Sequence, residues 1–320
     1  MKVAVIGGSG LGMLLAGTAH ATPLQGIDTP FGAPSDLILE SNWSGVPVYF
    51  LNRHGSGHRF NPSEVPYRAN IFALKQLGVT HILATGAVGS LREEFKPQHL
   101  VIPDQVIDQT FHRASTFFDS AAVHVEMAEP FCPVLRQTVL HAAGLPLSAA
   151  TNSSGEGKPL EPTLHDRGCY LAMEGPAFST RAESLMHRLW GADLVGMTAM
   201  PEARLAREAE ISYAMIAMVT DFDSWRRPPA TALQGVSPTS GKDLPAEPSM
   251  LIKEIQANLQ AVSARAYELL QTCVTRMAES REALMEAPSL HALAHAIWSD
   301  KSKIDSAEIE RLRPLWGRYF

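Results

Sequence analysis

Two aspartates stand two residues apart in the segment Thr220-Asp221-Phe222-Asp223, directly after the apolar run from Ile211 to Val219. Alternate side chains of an extended segment share one face, so both carboxylates can reach the same edge of a ligand. Open α/β sheets build their sites at the carboxyl ends of buried strands. The pair therefore suits recognition of a donor-rich group that can be protonated, although an exposed acidic turn has the same pattern.

A basic segment, Asn52-Arg53-His54-Gly55-Ser56-Gly57-His58, follows the strand-like run from Val46 to Leu51. A planar guanidinium beside an imidazole suits a small oxyanion such as phosphate. Metal binding by His54 and His58 is the rival interpretation. That spacing presents two ligands together only on a helix, and the two glycines oppose a helix here. We therefore expect an anion site and no metal.

Two glycine-containing segments, Gly7 to Gly12 and Ala84 to Leu91, follow other strand-like runs. Small residues allow backbone N–H groups to approach an anion closely. The first segment lacks the G-x-G-x-x-G spacing because Met13 stands where the last glycine would fall. The second, taken alone, is no more than a strand-to-helix turn. Together with the Arg53 segment, they predict one shared anion site built from three loops.

An aromatic residue, Phe178, stands on a Gly-Pro turn before a helical pattern, with Ser179 or Thr180 as the expected cap. Its ring can stack on a planar base or belong to the core. Met197 and Thr198 close another strand-like run and offer an adaptable apolar surface and a hydroxyl donor. None of these residues identifies a site by itself.

Strands and helices alternate along the chain, which predicts a mixed central β-sheet flanked by helices. The strand-like runs are Val3 to Ile6, Val46 to Leu51, His81 to Ala84, Leu100 to Ile102, Tyr170 to Met173, Leu194 to Met197 and Ile211 to Val219. The helical patterns are Tyr67 to Leu77, Thr180 to Trp190, Pro201 to Glu210, the long amphipathic Ser249 to Glu282, Leu290 to Trp298 and Ser306 to Leu312. We expect a catalytic domain over residues 1–282, with inserted loops at about 151–167 and 226–248, and a C-terminal helical extension over residues 283–320.

The composition excludes several classes of protein. The 320 residues are 45% hydrophobic, and the formal net charge of −6 comes without long Lys or Arg runs, so neither nucleic acid nor an anionic membrane is an expected partner. The three cysteines, Cys132, Cys169 and Cys273, are too few and too far apart for a disulfide framework or a zinc pattern. We expect a soluble protein of the reducing cytoplasm.

Taken together, these segments resemble the 5′-methylthioadenosine phosphorylase branch of the purine nucleoside phosphorylase family. The similarity runs in order from Lys2 to about Trp225, and the segments that carry it are Gly7 to Gly10, Asn52 to Gly55, Thr85 to Leu91, Met127 to Cys132, Glu174 to Ser184, Trp190 to Asp193, Met197 to Glu202 and Thr220 to Trp225. The resemblance implies reversible phosphorolysis, in which phosphate attacks C1′ of a purine nucleoside. It also implies a homotrimer, with phosphate as a co-substrate and no cofactor.

The resemblance also implies a role for individual residues. Phosphate contacts would come from Ser9, Arg53, His54, Ala87 and Thr198. Met197 would lie against the ribose, Phe178 would pack on the base, and His124 would approach the 5′ substituent, often from a neighbouring subunit. Asp221 would protonate purine N7 as a general acid and Asp223 would accept from the 6-amino group, or the two acids would exchange these roles. A 6-oxo base would present an acceptor to Asp223, which favours adenine.

The sequence departs from the family pattern in two places. Gly86 stands where this branch commonly has a hydroxyl residue, and the segment that closes over the 5′-methylthio group is not recognisable beyond Trp225. The alternatives are a 6-oxopurine nucleoside phosphorylase, a nucleosidase that uses water, and a non-catalytic nucleoside-binding protein.

Overall fold

The computed structural model describes residues 1–8, 21–145, 163–226 and 248–320, without the side chains of residues 248–251. Ser9 and most of the two predicted insertions therefore lie outside the described residues. Within the described ranges, eleven strands form one mixed sheet with helices packed on it, which confirms the predicted α/β fold. The strands are β1 (Val3–Gly7), β2 (Thr22–Pro23), β3 (Leu39–Trp43), β4 (Val46–Asn52), β5 (His81–Ser90), β6 (Leu100–Val101), β7 (Gln105–Gln109), β8 (Leu164–His165), β9 (Cys169–Met173), β10 (Leu194–Gly196) and β11 (Ser212–Phe222).

The sheet is organised around β5. The strand order is β2-β3-β4-β1-β5-β10-β9-β7. In addition, β11 pairs with both β5 and β6, and β6 pairs with β8. Strands β1 and β11 run parallel to β5, and β10 runs antiparallel to it. Because β11 lies directly beside β5, the aspartates at the end of β11 come next to the glycine-containing segment of β5.

The helices of the described residues flank this sheet. They are α1 (Tyr67–Gln76), α2 (Pro133–Ala142), α3 (Arg181–Leu189), α4 (Ala199–Glu208), α5 (Pro248–Glu279), α6 (Arg281–Met285), α7 (Ser306–Arg311) and α8 (Arg313–Trp316). Thr180 caps α3, since its side chain accepts from the Glu183 N–H while the Glu183 side chain accepts from the Thr180 N–H. Of the two predicted caps, Thr180 is therefore the one used. None of the described helices is long and apolar enough to cross a bilayer.

Two predicted elements differ in the structure. The segment from Ala84 to Leu91 is not a strand-to-helix turn, because β5 continues to Ser90 and pairs with β11 along this whole stretch. Pairing with a neighbouring strand thus decides the conformation where small residues have weak preferences of their own. The pattern from Leu290 to Trp298 begins as a short 3₁₀-helix (Pro288–His291) and then turns. Its end pairs with Val123 through Ile297 instead of completing a helix.

The core lies on both faces of the sheet. Alternate residues of β11 divide between two apolar clusters, with Met215 and Val219 on one side and Ile216 and Met218 on the other. The C-terminal segment joins the first cluster through the fully buried Trp316. The division at residue 282 stays a prediction.

Candidate functional site

A cavity of about 540 Å³ opens where β1, β4, β5, β10 and β11 end or meet the following loops. Its size suits a ligand of nucleoside dimensions. Eight of the ten predicted site residues line it, namely Arg53, His54, Ala87, Phe178, Met197, Thr198, Asp221 and Asp223. The structure therefore brings four of the five proposed anion residues and the two acids into one space, although they are far apart in the sequence.

Arg53 is fully buried and its guanidinium is held by protein groups. Nε and Nη2 donate to the two carboxylate oxygens of Glu202 at 2.6 and 2.7 Å, and Nη1 donates to the Thr85 carbonyl oxygen at 2.8 Å. Burial by itself would lower the pKa of Arg53, but the charge of Glu202 raises it above its ordinary value. A guanidinium has five N–H groups, so one on Nη1 and one on Nη2 remain without a partner among the described residues.

His54 offers an acceptor rather than a positive charge. Its Nδ1 lies 2.9 Å from the carbonyl oxygen of Phe60, which can only accept, so Nδ1 carries the proton and Nε2 has a lone pair. Burial, followed by the positive charge of Arg53, lowers the pKa of His54 to about 4. The ring also stacks on His58, with centroids 4.2 Å apart. At neutral pH, His54 Nε2 can therefore accept a hydrogen bond from a protonated oxygen of an anion.

Met197 and Thr198 are fixed through their backbone. The Thr198 N–H donates to the hydroxyl of the fully buried Tyr170 at 3.2 Å. Arg113 donates to the carbonyl oxygens of Met197 and Met200, the second at 2.7 Å. Neither Tyr170 nor Arg113 belongs to a recognisable motif, so neither was predicted as a support.

Glu174 anchors the opposite end of Arg113 and ties further segments to it. One carboxylate oxygen accepts from Ser63 and from Arg113 Nε, and the other accepts from the N–H groups of Phe111 and His112 at 2.7 and 3.2 Å. Burial would raise the pKa of Glu174, but these hydrogen bonds lower it to about 2. A buried ion pair thus joins the segments that carry residues 63, 113 and 197 around the cavity.

Gly86 departs from the family pattern, and Met215 occupies the adjoining space. A Cβ atom at Gly86 would lie 2.7 Å from the terminal methyl of Met215 and 3.7 Å from Thr198 Oγ1. A larger residue at this position therefore requires the Met215 side chain to move. The chain therefore lacks the hydroxyl that the family commonly has at this position.

Asp221 and Asp223 project from the end of β11 against Gly89 of β5. A Cβ atom at Gly89 would lie 3.3 Å from Asp223 Cβ and 3.4 Å from Asp221 Oδ2, so a larger residue there would press on both acids. Asp221 Oδ1 accepts from the Thr220 hydroxyl at 2.7 Å. Burial, and then the charges of Asp223 and Glu254, raise the pKa of Asp221 to about 6 against the lowering effect of that hydrogen bond.

Asp223 holds an unsatisfied acceptor. The residue is 6% exposed, and its Oδ2 is buried without a hydrogen-bond partner among the described residues. An unpartnered buried carboxylate oxygen is costly, so the site is built for a ligand that donates to it. The exposed-turn interpretation of the aspartate pair is therefore wrong.

Phe178 lies at the rim of the cavity and is 58% exposed. It is not a core residue, which was the alternative interpretation of its pattern. The turn that carries it is held to the end of β11, because the Ser224 hydroxyl donates to the Ser179 carbonyl oxygen at 2.7 Å. The ring is thus kept near the acids with a face free for a planar group.

Helix α5 supplies an apolar wall that the sequence analysis did not assign to the site. Ile255 and Leu259 line the cavity, and they stand four residues apart on one face of the helix. Both appear in the sequence as part of an amphipathic pattern. That pattern indicates a packed face, but it does not distinguish packing on the core from packing on a ligand.

His124 does not line the cavity of its own chain. It is exposed, its ring contacts the exposed Trp298 with centroids 4.8 Å apart, and its N–H donates to the Ala296 carbonyl oxygen at 2.9 Å. Among the described residues, no group of three or more His, Cys, Asp and Glu side chains is placed to hold a metal ion.

The central strands of this mixed α/β sheet place anion-binding groups and a carboxylate pair in one cavity. This arrangement is typical of the nucleoside phosphorylase class of folds. The chain belongs to the phosphorylase superfamily, whose family model matches residues 2–275.

Curated relatives and solved structures agree with this assignment. The chain is 41% identical over 322 residues to the S-methyl-5′-thioadenosine phosphorylase of Synechocystis. The alignment covers 99% of this chain and 87% of the relative. It is 42% identical to the enzyme of that name from Geobacter sulfurreducens, covering 99% and 98%. A methylthioadenosine phosphorylase from an Antarctic soil metagenomic library has a TM-score of 0.74 at 40% identity and covers 98% of each chain. The Schistosoma mansoni methylthioadenosine phosphorylase in complex with adenine has a TM-score of 0.75 at 34% identity, covering 93% of this chain and 99% of that one.

Proposed function

We propose that this protein is a pentosyltransferase that cleaves 5′-methylthioadenosine with phosphate, giving adenine and 5-methylthioribose 1-phosphate. The observation that carries the proposal is that Asp223 Oδ2, beside the protonatable Asp221, has no partner among the described residues. It lies in the same cavity as the two Arg53 N–H groups that the described residues leave without an acceptor. A donor-rich purine edge and an oxyanion would satisfy these groups. The curated relatives bear the name of this activity.

Phosphate would bind at the end of the cavity formed by Arg53, Thr198 and the backbone of Ala87, with Ser9 as a further contact. The two remaining N–H groups of Arg53 would donate to phosphate oxygens, and His54 Nε2 would accept from a protonated one. Because Glu202 already balances the charge of Arg53, phosphate is held mainly by directed hydrogen bonds. Such binding orients an oxygen towards C1′, and the negative charge of phosphate is left to be balanced by the positive charge that develops on the ribose.

The purine would bind at the opposite end, against Phe178 and the two acids. Asp221 would donate a proton to N7 as the glycosidic bond breaks, and Asp223 Oδ2 would accept from the 6-amino group. Bond cleavage develops positive charge on the ribose and negative charge on the leaving base. Phosphate on one face and a proton donor at N7 therefore stabilise both charges as they form.

The 5′ substituent would lie against the apolar wall of Ile255 and Leu259, with Met197 under the ribose. A methylthio group gains from contact with such a wall, whereas a 5′-hydroxyl would lose hydrogen bonds to water there. This wall supports the 5′-methylthio nucleoside over adenosine. We further propose a homotrimer, in which the exposed His124 would complete the 5′ end of a neighbouring subunit's site.

The reaction as proposed needs no cofactor, and phosphate is a co-substrate. The three cysteines are free thiols, which supports a reducing, cytoplasmic setting for the protein.

The proposal is tested by measuring release of free base from 5′-methylthioadenosine, adenosine and inosine, each with and without phosphate. We expect phosphate-dependent release that is fastest for 5′-methylthioadenosine and slowest for inosine. Equal release without phosphate would instead indicate a nucleosidase that uses water. Faster cleavage of inosine would assign the protein to the 6-oxopurine phosphorylases and refute the role of Asp223.

A further inference from the structure

Strand β11 has an irregularity immediately before the first aspartate. Its register with β5 passes from Val219 opposite Val88 to Asp221 opposite Gly89, so Thr220 has no opposite residue in the ladder. Such a bulge leaves one residue unpaired and re-aims the side chains that follow. Thr220 is 2% exposed, so its backbone carbonyl oxygen needs a partner inside the protein.

Asn258 of helix α5 supplies that partner. Its Nδ2 donates to the Thr220 carbonyl oxygen at 2.8 Å. Gln98 Nε2 donates to Asn258 Oδ1 at 2.9 Å, which fixes the amide with its donor side towards Thr220. The Gln98 backbone N–H also donates to the Val219 carbonyl oxygen at 2.8 Å. Two successive carbonyl groups at the bulge are therefore held by Gln98 and Asn258 acting together.

The position of Thr220 matters because its hydroxyl touches the proposed acid. Thr220 Oγ1 lies 2.7 Å from Asp221 Oδ1 and 3.2 Å from the Val88 carbonyl oxygen, and it has one proton to donate. When Asp221 is ionised, the hydroxyl can donate to the carboxylate. When Asp221 is protonated at Oδ2, the hydroxyl can still donate to Oδ1 or turn to the Val88 carbonyl oxygen. The same geometry thus serves Asp221 before and after proton transfer.

Asn258 also lies on the helix face that forms the apolar wall. Ile255 and Leu259, three residues before and one residue after it, both line the cavity. The contact between Asn258 and Thr220 consequently fixes the wall and the acid relative to each other. A helix that shifted along β11 would move both ends of the substrate site.

We propose that Asn258 is a positioning residue for acid catalysis, which holds the bulge at Thr220 so that Asp221 is aimed at the leaving base. This inference rests on the proposed phosphorolysis. It assigns to helix α5 a part in the chemistry in addition to its part in forming the cavity wall.

The test is the variant Asn258→Leu, which removes the amide and keeps a side chain of similar size on a helix. We expect kcat for 5′-methylthioadenosine to fall about 30-fold, within the range that one displaced acid group contributes. We expect the pH above which kcat/KM declines to rise by about one unit, because the carboxylate loses the hydrogen bond of Thr220. KM for phosphate should stay within about twofold, since the anion end does not contact Asn258.

A second substrate separates acid catalysis from a general loss of structure. A purine nucleoside methylated at N7 leaves as a neutral base without a proton, so its kcat should fall less than about threefold in Asn258→Leu. An equal fall for both substrates, or an unshifted pH profile, would overturn the proposal. The exposed Gln256 lies on the same helix, and Gln256→Leu is the matched control that should change neither rate.

If Asn258→Leu does not fold, Gln98→Met carries the test, because it frees the Asn258 amide to rotate and leaves helix α5 intact. Its expected effect has the same pattern and is smaller, about threefold in kcat for 5′-methylthioadenosine. Unaltered protein that releases no base with phosphate would overturn the proposed function itself. Normal release, together with variants of unchanged kcat and pH profile, would overturn only the role of Asn258.

Discussion

The ion pair between Arg53 and Glu202 provides a test of the anion end of the cavity. The change Glu202→Gln keeps the size and one acceptor of the side chain but removes its negative charge. Arg53 is 0% exposed and Glu202 1% exposed, and Tyr213 also donates to Glu202 Oε1 at 2.8 Å. The variant therefore leaves a buried guanidinium without its counter-charge and adds an amide N–H that faces it.

The expected magnitude follows from this burial. Removing one partner of a buried ion pair costs about 3–5 kcal/mol, and we expect the lower end because the amide oxygen still accepts one hydrogen bond. Phosphate at Arg53 would supply the missing charge, so it should bind about tenfold more tightly to the variant. At saturating phosphate, tenfold tighter binding adds about 1.4 kcal/mol to the free energy of unfolding.

The assay is urea unfolding of both proteins with and without phosphate. Without phosphate, Glu202→Gln should be less stable by about 3 kcal/mol. Phosphate should raise the free energy of unfolding of Glu202→Gln by more than it raises that of the unaltered protein. The control is Glu279→Gln, which breaks the exposed pair of Glu279 with Arg276 at 2.8 Å and should cost less than about 1 kcal/mol. A phosphate stabilisation no greater in Glu202→Gln than in the unaltered protein would refute the placement of phosphate at Arg53.

Three further predictions concern the other parts of the site. Since burial raises the pKa of Asp221 to about 6 and the acid must be protonated, kcat/KM for 5′-methylthioadenosine at saturating phosphate should decline as pH rises above about 6. Asp221→Asn should lower kcat at least about 100-fold, and a flat profile in the unaltered protein would count against this role. Asp223→Asn adds an N–H donor, so the ratio of kcat/KM for inosine to that for 5′-methylthioadenosine should rise about tenfold, and an unchanged ratio would contradict the assigned contact. Leu259→Ser should reduce the preference for 5′-methylthioadenosine over adenosine about tenfold in KM, with Gln260→Ser as the exposed control.

Much of the candidate site follows from local sequence patterns. The aspartate pair was predicted at the end of a buried strand, and it lies there. The long apolar run is buried in the sheet, and the polar residues that follow it mark the end of the strand. The loop after β4 reaches the cavity by the same rule. The loop after β10 reaches it although β10 runs antiparallel to β5, which this rule does not predict. The cap of α3 was predicted at Ser179 or Thr180, and the reciprocal hydrogen bonds of Thr180 with Glu183 decide between them.

Other parts depend on contacts between residues that are distant in the sequence. Arg53 and Glu202 are separated by 149 positions, so no spacing rule predicts that the arginine proposed to bind phosphate is already paired. The extension of β5 through Ala87 is decided by its neighbour β11, because small residues fit both a turn and a strand. The bulge at Thr220 is likewise invisible in a pattern of alternating residues. Each of these features changes the chemistry of the site and not only its shape.

The fate of labelled phosphate oxygen tests the central claim most directly. The protein would be incubated with 5′-methylthioadenosine and phosphate labelled with ¹⁸O at all four oxygens, and the products identified by mass spectrometry and ³¹P NMR. Direct attack of phosphate on C1′ predicts 5-methylthioribose 1-phosphate that retains every labelled oxygen, formed in step with adenine. Free methylthioribose, with all the label still in inorganic phosphate, would contradict phosphorolysis.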